Sequence, residues 1–321
     1  MTTRTDRHRC RARRRTGSPR HGTLGVANRG PLAALTLAAL VTASAAAAET
    51  TAVEGADLRY VSDGEGTPVV FVHGAISDHR VWEPYRERIA RNHRFIAYDQ
   101  RYFGTDEWPD EAEHFSIDTH ADDLVALLEA LEDEPAHVVT WSYSGDVASR
   151  AVLRRPDLFR SLIHFEPAVG SLMAGLPGAS RATGEMFSRF GPAMLAVEEG
   201  RLEDSALRFL DAVFDLPEGA ADDEPEPWPT IWRDNGRTVP PYLASPEGES
   251  VSCAALADVR VPTLVVQGGR SFTRYSMMAE RVADCQPNAV IVTLAGVNHD
   301  GPYRKPEEFG EMIERFVALI E

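Results

Sequence analysis

The feature that most constrains this 321-residue chain is a regular alternation of short apolar runs with amphipathic stretches. The run 69–72, Val-Val-Phe-Val, contains no polar residue, which is typical of a strand buried on both faces of a sheet. Further strands are predicted at residues 94–97, 137–141, 162–165, 261–266 and 290–294. Between these runs lie segments whose apolar residues have helical spacing. The pattern therefore predicts an α/β fold whose mostly parallel sheet has helices on both faces.

The region from about residue 168 to 250 breaks this alternation. It begins with two helical patterns, around residues 186–195 and 207–214, and continues into an acidic, proline-rich stretch at 217–229. We expect Met186, Phe187, Phe190, Met194 and Leu195 to form one apolar helix face. A helical insertion between two sheet strands indicates a cap, so residues 49–321 are predicted to be one domain that carries this cap.

The first 48 residues differ in charge from the rest of the chain. They contain nine Arg and one Asp, and the last three residues of the uncharged stretch 31–48, Ala46-Ala47-Ala48, fit a small-residue cleavage site. This pattern predicts a secretory signal peptide and a secreted or periplasmic protein, with an uncleaved anchor as the alternative. Residues 49–321 then carry a net charge of −24, which disfavours nucleic acids and anionic membranes as partners.

Two cysteines, Cys253 and Cys285, lie in the predicted mature chain. Their spacing does not match a CxxC metal site, and no metal or organic cofactor is expected. In an exported protein they could form one disulfide, and the alternative is a pair of buried thiols. The sequence does not indicate the oligomeric state.

Residues 137–145, His-Val-Val-Thr-Trp-Ser-Tyr-Ser-Gly, predict a strand that ends at Ser142 and a helix that follows at once. This segment resembles the nucleophile elbow, G-x-S-x-G, of the α/β-hydrolase superfamily, in which a serine is held on a strained turn. Thr140 and Ser144 replace the two glycines, and Gly145 follows one position later. Taken alone, the segment also fits a serine that caps a helix after a buried strand.

The resemblance extends over about residues 50–170 and 255–321. The triplet 73–75, His-Gly-Ala, stands where the family has its oxyanion loop, which implies that the N–H groups of Ala75 and Tyr143 form the oxyanion hole. The segment 99–104 is similar to the family's D-x-R-x-x-G turn, so Asp99 and Arg101 are interpreted as structural.

The resemblance also implies a histidine base and an acid. His299 follows the last predicted strand, at the family's position for the catalytic histidine. The usual acid position after strand 261–266 holds no carboxylate before Glu280. Glu166 ends the preceding strand, where zearalenone lactonases and some haloalkane dehalogenases of this superfamily have their acid. The alternative for Glu166 is an ion pair with an arginine at the cap hinge.

Together these similarities imply a serine hydrolase that cleaves a small carboxylic ester or lactone. Ser142 would attack the carbonyl, His299 would take its proton, and Glu166 would orient His299. A cofactor-free haloperoxidase-like perhydrolase with the same triad is one alternative. A non-catalytic protein that binds a ligand in the cap pocket is the other.

Overall fold

A computed structural model describes residues 48–131, 134–245 and 250–321 of the chain. The predicted signal peptide and its anchor alternative therefore lie outside the described residues, apart from Ala48, which begins the first strand. Among the residues that are described, none of the helices combines the length and the apolar character needed to cross a membrane.

Eight strands form one sheet in the order β1-β2-β4-β3-β5-β6-β7-β8. Their bounds are β1 Ala48–Val53, β2 Ala56–Asp63, β3 Pro68–Val72, β4 Arg94–Tyr98, β5 Ala136–Trp141, β6 Phe159–Phe165, β7 Thr263–Gly268 and β8 Ala289–Leu294. β1 pairs antiparallel with β2, and β2 pairs antiparallel with β4. The pairs from β4 to β8 are all parallel, which confirms the predicted mostly parallel sheet.

Helices cover both faces of this sheet. Their bounds are α1 Glu83–Ala90, α2 Ile117–Ala130, α3 Tyr143–Arg154, α4 Ala179–Phe187, α5 Gly191–Glu198, α6 Leu202–Val213, α7 Trp228–Asp234, α8 Val239–Ala244, α9 Cys253–Leu256, α10 Thr273–Cys285, α11 Gly301–Arg304 and α12 Pro306–Ile320. In β3, Val69 and Phe71 belong to one apolar cluster and Val70 and Val72 to another, because successive side chains of a strand point to opposite faces. This two-sided burial explains why β3 contains no polar residue.

The helices α4 to α8 lie between β6 and β7 in the chain and form the cap. The single apolar face expected for residues 186–195 is wrong. Met186 and Phe190 are buried, whereas Phe187, Met194 and Leu195 are about half exposed. The reason is that α4 ends at Phe187 and α5 begins at Gly191, with a proline in its first turn, so these residues do not share one helix.

A disulfide joins Cys253 in α9 to Cys285 at the end of α10. Of the two alternatives left open by the sequence, the structure therefore has the bridge. It closes a loop of 32 residues that contains β7 and most of α10. Both cysteines lie outside the cap helices.

Candidate active site

Ser142 occupies the sharp turn between β5 and α3. Its backbone has φ of 59° and ψ of −115°, a conformation that non-glycine residues rarely adopt and that is concentrated at functional sites. The turn is fixed from both sides. The Ser142 N–H donates to the Phe165 carbonyl at 3.0 Å, and the Ser142 carbonyl accepts from the Ala168 N–H at 2.9 Å.

Polar side chains fill the two positions where the elbow pattern has glycine. The Ser144 hydroxyl donates to the Val72 carbonyl at 2.8 Å and accepts from the Trp141 N–H at 3.0 Å. The Thr140 hydroxyl lies 2.7 Å from Nδ1 of His164. Both side chains are thus buried with hydrogen-bond partners, which accommodates the departure from the glycine pattern.

Gly145 provides the close approach between α3 and the chain that follows β6. A Cβ atom at this position would lie 2.4 Å from Cβ of Pro167, so only glycine fits without displacement. Since Pro167 directly follows Glu166, this contact also fixes the distance between the two chain segments that carry Ser142 and Glu166. The glycine required by the elbow is therefore present, but displaced by one residue along the helix.

The structure brings Ser142, His299 and Glu166 together. Nε2 of His299 lies 2.7 Å from Oγ of Ser142, and Nδ1 lies 2.7 Å from Oε2 of Glu166. His299 is 2% exposed and Glu166 is completely buried. When the Nδ1–H donates to the carboxylate, Nε2 is left to accept the Ser142 hydroxyl proton, which is the orientation needed for a general base.

Glu166 is held by the backbone on both sides. Its N–H donates to the Val266 carbonyl at 2.9 Å, and its second carboxylate oxygen accepts the Gly268 N–H at 2.6 Å. Its φ of 44° is also positive, so the carboxyl end of β6 carries a second strained residue. In the described part of the chain the ion-pair partner of Glu166 is His299, not an arginine at the cap hinge. The neighbouring Asp300 pairs with Arg304 instead.

The loop after β3 lies against the elbow. A Cβ atom on Gly74 would lie 3.1 Å from the Trp141 carbonyl oxygen and 3.5 Å from Cβ of Ser142. His73 anchors this loop, since its Nε2 accepts from the Gln100 N–H at 3.1 Å and its Nδ1 donates to the Gly74 carbonyl at 2.7 Å. Burial lowers the pKa of His73, which favours the neutral ring that this pattern requires.

The two predicted oxyanion donors lie beside Ser142. Ala75 lines the same cavity as Ser142, and Tyr143 is the first residue of α3. Within residues 48–131, 134–245 and 250–321, neither N–H is engaged in a hydrogen bond. The Tyr143 side chain is turned away, with its hydroxyl donating at 2.7 Å to His120, whose pKa is lowered to about 3 by burial. Two N–H groups are thus available to a developing negative charge.

Two aromatic residues hold His299, and sequence reasoning assigned a role to neither. The Trp141 indole N–H donates to the His299 carbonyl at 2.9 Å. The Tyr275 ring stacks on the imidazole with a centroid distance of 3.7 Å and an interplanar angle of 6°. The only signal for Tyr275 in the sequence was its place at the start of a helix, shortly after the strand where the acid was expected.

A cavity of about 320 Å³ opens onto Ser142 and His299. Its wall is mostly aromatic and aliphatic and comes largely from the cap. The apolar lining includes Met186, Phe187, Phe190, Phe209, Leu210, Val213, Phe214, Trp232, Tyr242, Leu243, Tyr275 and Met278. Arg274 also lines it, with Nη1 donating to the Thr183 hydroxyl at 2.6 Å. Such a wall favours an apolar ligand with few polar groups.

The predicted structural residues after β4 have structural contacts. Asp99 accepts from the backbone N–H of His79 at 2.8 Å and lies 2.7 Å from its ring Nδ1. Arg101 forms a two-pronged ion pair with Asp123. Asp78, His79 and Asp99 are the acidic and histidine side chains of the described region close enough to share a metal ion, but Arg80 pairs with Asp78 and already supplies a positive charge there.

Comparison with known proteins places this chain in a family. The sequence pattern of the "Alpha/beta hydrolase family" matches residues 69–312. A relative from Mycobacterium tuberculosis, "Putative non-heme bromoperoxidase BpoC", is 24% identical over 275 residues, which is 83% of this chain and 99% of the relative.

Two solved structures share the fold. One is Est816, described as an N-acyl homoserine lactone degrading enzyme, with a TM-score of 0.59, 24% identity, and coverage of 84% of this chain and 100% of the other. The other is a thermophilic esterase from Thermogutta terrifontis, with a TM-score of 0.64, 20% identity, and coverage of 86% and 99%. The matched range spans most of the chain and includes Ser142, Glu166 and His299. The chain therefore belongs to the alpha/beta hydrolase family.

Proposed function

We propose that this protein is a serine hydrolase that cleaves a carboxylic ester or a lactone through an acyl-enzyme on Ser142. The observation that carries the proposal is the continuous hydrogen-bonded series Glu166–His299–Ser142, with both distances at 2.7 Å, at the edge of an apolar cavity. Nucleophile, base and orienting group within hydrogen-bond reach are what nucleophilic catalysis requires.

In the acylation step, Oγ of Ser142 attacks the substrate carbonyl while Nε2 of His299 takes the hydroxyl proton. The tetrahedral intermediate places a negative charge on the former carbonyl oxygen, where the N–H groups of Ala75 and Tyr143 would donate to it. The intermediate collapses when the C–O bond to the alcohol breaks and His299 returns the proton to the departing oxygen. Glu166 remains ionised and stabilises the imidazolium in between.

In the deacylation step, water replaces the alcohol. His299 takes a proton from the water, whose oxygen attacks the acyl carbon, and the proton returns to Oγ of Ser142 as the carboxylic acid leaves. In a lactone the alcohol and the acid belong to the same molecule, so the product is a single hydroxy acid. No step needs a metal ion or an organic cofactor.

The cavity supports a small, uncharged substrate. Its lining is dominated by aromatic and aliphatic side chains, and its volume of about 320 Å³ admits a compact molecule. An esterase and a lactone-degrading enzyme share the fold, which is in keeping with an ester or lactone here. We also propose that the protein is exported, because a disulfide in the described chain accompanies the leader-like first 48 residues.

A fluorophosphonate probe tests the proposed nucleophile. We expect the purified wild-type protein to be labelled at Ser142, as located by mass spectrometry, and His299→Ala to lose the labelling. Ser144→Ala is a matched control for the elbow serines, since Ser144 has structural partners and its loss should leave the adduct on Ser142. A folded wild-type protein that takes up no label would refute the proposal. The same mass measurement reads the N-terminus and hence the fate of the leader.

A perhydrolase is the second candidate, since a relative carries the name of a non-heme bromoperoxidase. Here hydrogen peroxide would replace water in the second step and release a peracid from the acyl-enzyme. The two functions are separated by supplying a short carboxylic acid with peroxide and bromide. Rapid bromination of an acceptor together with weak ester hydrolysis would favour the perhydrolase.

A further inference from the structure

The aromatic environment of His299 contains one contact with an unusual geometry. The Tyr275 ring lies parallel to the imidazole, at 3.7 Å and 6°, whereas Trp141 and Phe214 are tilted and 6.3 Å away. Tyr275 is itself 4% exposed and sits in the first turn of α10. The stacked face of the imidazole is therefore fixed by a ring that cannot easily move aside.

We propose that Tyr275 is a positioning residue of the hydrolase, acting through His299. This inference rests on the proposed function. The stacked ring fixes the plane of the imidazole, and both hydrogen bonds of His299 lie in that plane, one to Glu166 and one to Ser142. Rotation of the imidazole would break both bonds together, so the ring that opposes rotation maintains the alignment needed for proton transfer.

The stacked ring also stabilises the positive charge that His299 acquires. His299 becomes an imidazolium when it takes the proton of Ser142, and the π face of an aromatic ring attracts a cation within about 6 Å of its centroid. Tyr275 lies well inside that distance. Because the site is buried, little water screens this attraction, and the carboxylate of Glu166 alone would otherwise balance the new charge.

The position of Tyr275 in the chain explains why such a device is present here. It follows the loop after β7, the place where the family's usual acid was expected and where no carboxylate is found. In this protein Glu166 approaches His299 from the end of β6, and α10 presents an aromatic ring instead. The segment after β7 thus keeps a role in orienting the histidine, although it has no acid.

The other charged or titratable groups around His299 are accounted for. Glu166 faces it from the end of β6, and Asp300, on the same loop, is paired with Arg304 of α11. On the cavity side, Arg274 of α10 is bonded to Thr183, and Tyr242 of α8 packs against Tyr143 rather than against His299. The two Tyr275 variants below leave all these groups in place, so a change in their pH dependence reports on the stacked ring.

The experiment compares Tyr275→Phe with Tyr275→Leu on a short p-nitrophenyl ester over a range of pH. Phenylalanine keeps the ring, so we expect kcat within about threefold of wild type. Leucine removes the π face, and we expect kcat to fall on the order of tenfold or more with a smaller change in KM. The acidic limb of the kcat/KM profile should move to lower pH by about half a unit in Tyr275→Leu, because the imidazolium is less stabilised.

Tyr242→Leu is the matched control, since Tyr242 lines the same cavity without contacting His299, and its acidic limb should not move. Thermal unfolding shows whether each variant is folded. An unmoved limb in folded Tyr275→Leu would overturn the inference, and so would a Phe variant as impaired as the Leu variant. Absence of hydrolysis and of fluorophosphonate labelling in the wild type would instead refute the proposed function itself.

Discussion

The sheet and the cap contribute different parts of the candidate active site. Ser142, Glu166 and His299 follow β5, β6 and β8, and all lie at the carboxyl edge of the sheet. The cap helices contribute none of these three residues, yet they provide most of the cavity wall. The cap side chains that face the cavity are nearly all apolar, whereas the sheet edge offers hydrogen-bonding groups.

This difference indicates that the sheet edge fixes the geometry of Ser142, Glu166 and His299, whereas the cap fixes the volume of the cavity. The sheet edge is held by backbone hydrogen bonds of neighbouring strands, so its atoms are placed to within the tolerance of a hydrogen bond. The cap is held by aromatic packing, such as the edge-to-face contact of Phe190 with Phe209 at 5.1 Å. Changes at the sheet edge should therefore affect kcat, and changes in the cap should affect KM.

The largest effect is expected from Glu166→Gln. The amide cannot balance the imidazolium and can hold the wrong histidine tautomer, so kcat should fall by about 10³- to 10⁴-fold with KM little changed. Steady-state kinetics on a short p-nitrophenyl ester measures this. Asp300→Asn is the matched control, because Asp300 pairs with Arg304, and its effect should stay within about tenfold. Near wild-type activity in Glu166→Gln would place the acid elsewhere.

The next effect concerns the stability of the sheet region. Replacing both Cys253 and Cys285 by alanine opens a loop of 32 residues, which should lower the free energy of unfolding by about 3 to 4 kcal/mol. Urea unfolding of the oxidised wild type and the double variant measures the difference. Since neither cysteine lines the cavity at Ser142, KM should not change. A decrease in the free energy of unfolding of less than about 1 kcal/mol would show that the bridge constrains the unfolded chain only weakly.

The sheet region should also carry most of the acid sensitivity. Burial lowers the pKa of His164 to about 4, while the unfolded chain takes up that proton near 6.5. The unfolded state therefore binds more protons between these values, so the stability is complete above about 6.5 and is lost as the pH falls towards 4. The free energy of unfolding should fall by about 2 kcal/mol by pH 5 because of His164 alone.

Urea unfolding of His164→Leu between pH 7 and 5 tests this contribution. The variant should be less stable than the wild type at pH 7, because the Thr140 hydroxyl loses its partner, but its stability should fall less as the pH is lowered to 5. His114→Gln, at an exposed position, serves as the control. An unchanged pH dependence in His164→Leu would contradict the assignment. Residues 168–250 contain no histidine, so the cap offers no equivalent group.

The smallest effect is expected in the cap. Phe209→Leu shortens a side chain that packs against Phe190 and Tyr242 and lines the cavity. We expect KM for a compact ester to rise about three- to tenfold and kcat to change less than twofold, since contact area is lost away from the reacting atoms. A series of esters of increasing size checks this. A decrease in kcat with no change in KM would contradict the expectation that changes in the cap affect mainly KM.

The sheet could be predicted well from the sequence because buried parallel strands leave a local signal. The predicted strand 290–294 lies within β8 Ala289–Leu294, and the predicted strand 94–97 lies within β4 Arg94–Tyr98. A helical insertion between two sheet strands could also be predicted, but the bounds of its helices could not, since these helices are short and are set by contacts distant in sequence. The proline-rich stretch 217–229, for instance, ends in the first two residues of α7.

Prediction of the site from the sequence has the same limit. The resemblance to the α/β-hydrolase superfamily implied Ser142 and His299 at their places after strands, and it implied Glu166 because no carboxylate follows β7. The stacking of Tyr275 on His299 was not predictable, because the two residues meet only when α10 packs beside the loop after β8. Nor could the sequence indicate that Gly145, rather than Ser144, would meet Pro167. Both depend on how elements pack, not on any local pattern.

The order of the strands has a consequence for how the site becomes complete during folding. Ser142 lies inside the β5–α3–β6 unit and Glu166 directly follows it, whereas His299 lies 133 residues beyond Glu166 and follows β8, an edge strand. Contacts between distant residues form late, because the entropy of closing long loops opposes them. We therefore expect competence for fluorophosphonate labelling at Ser142 to appear only when β8 and the loop that carries His299 have docked, which labelling at successive times of refolding measures.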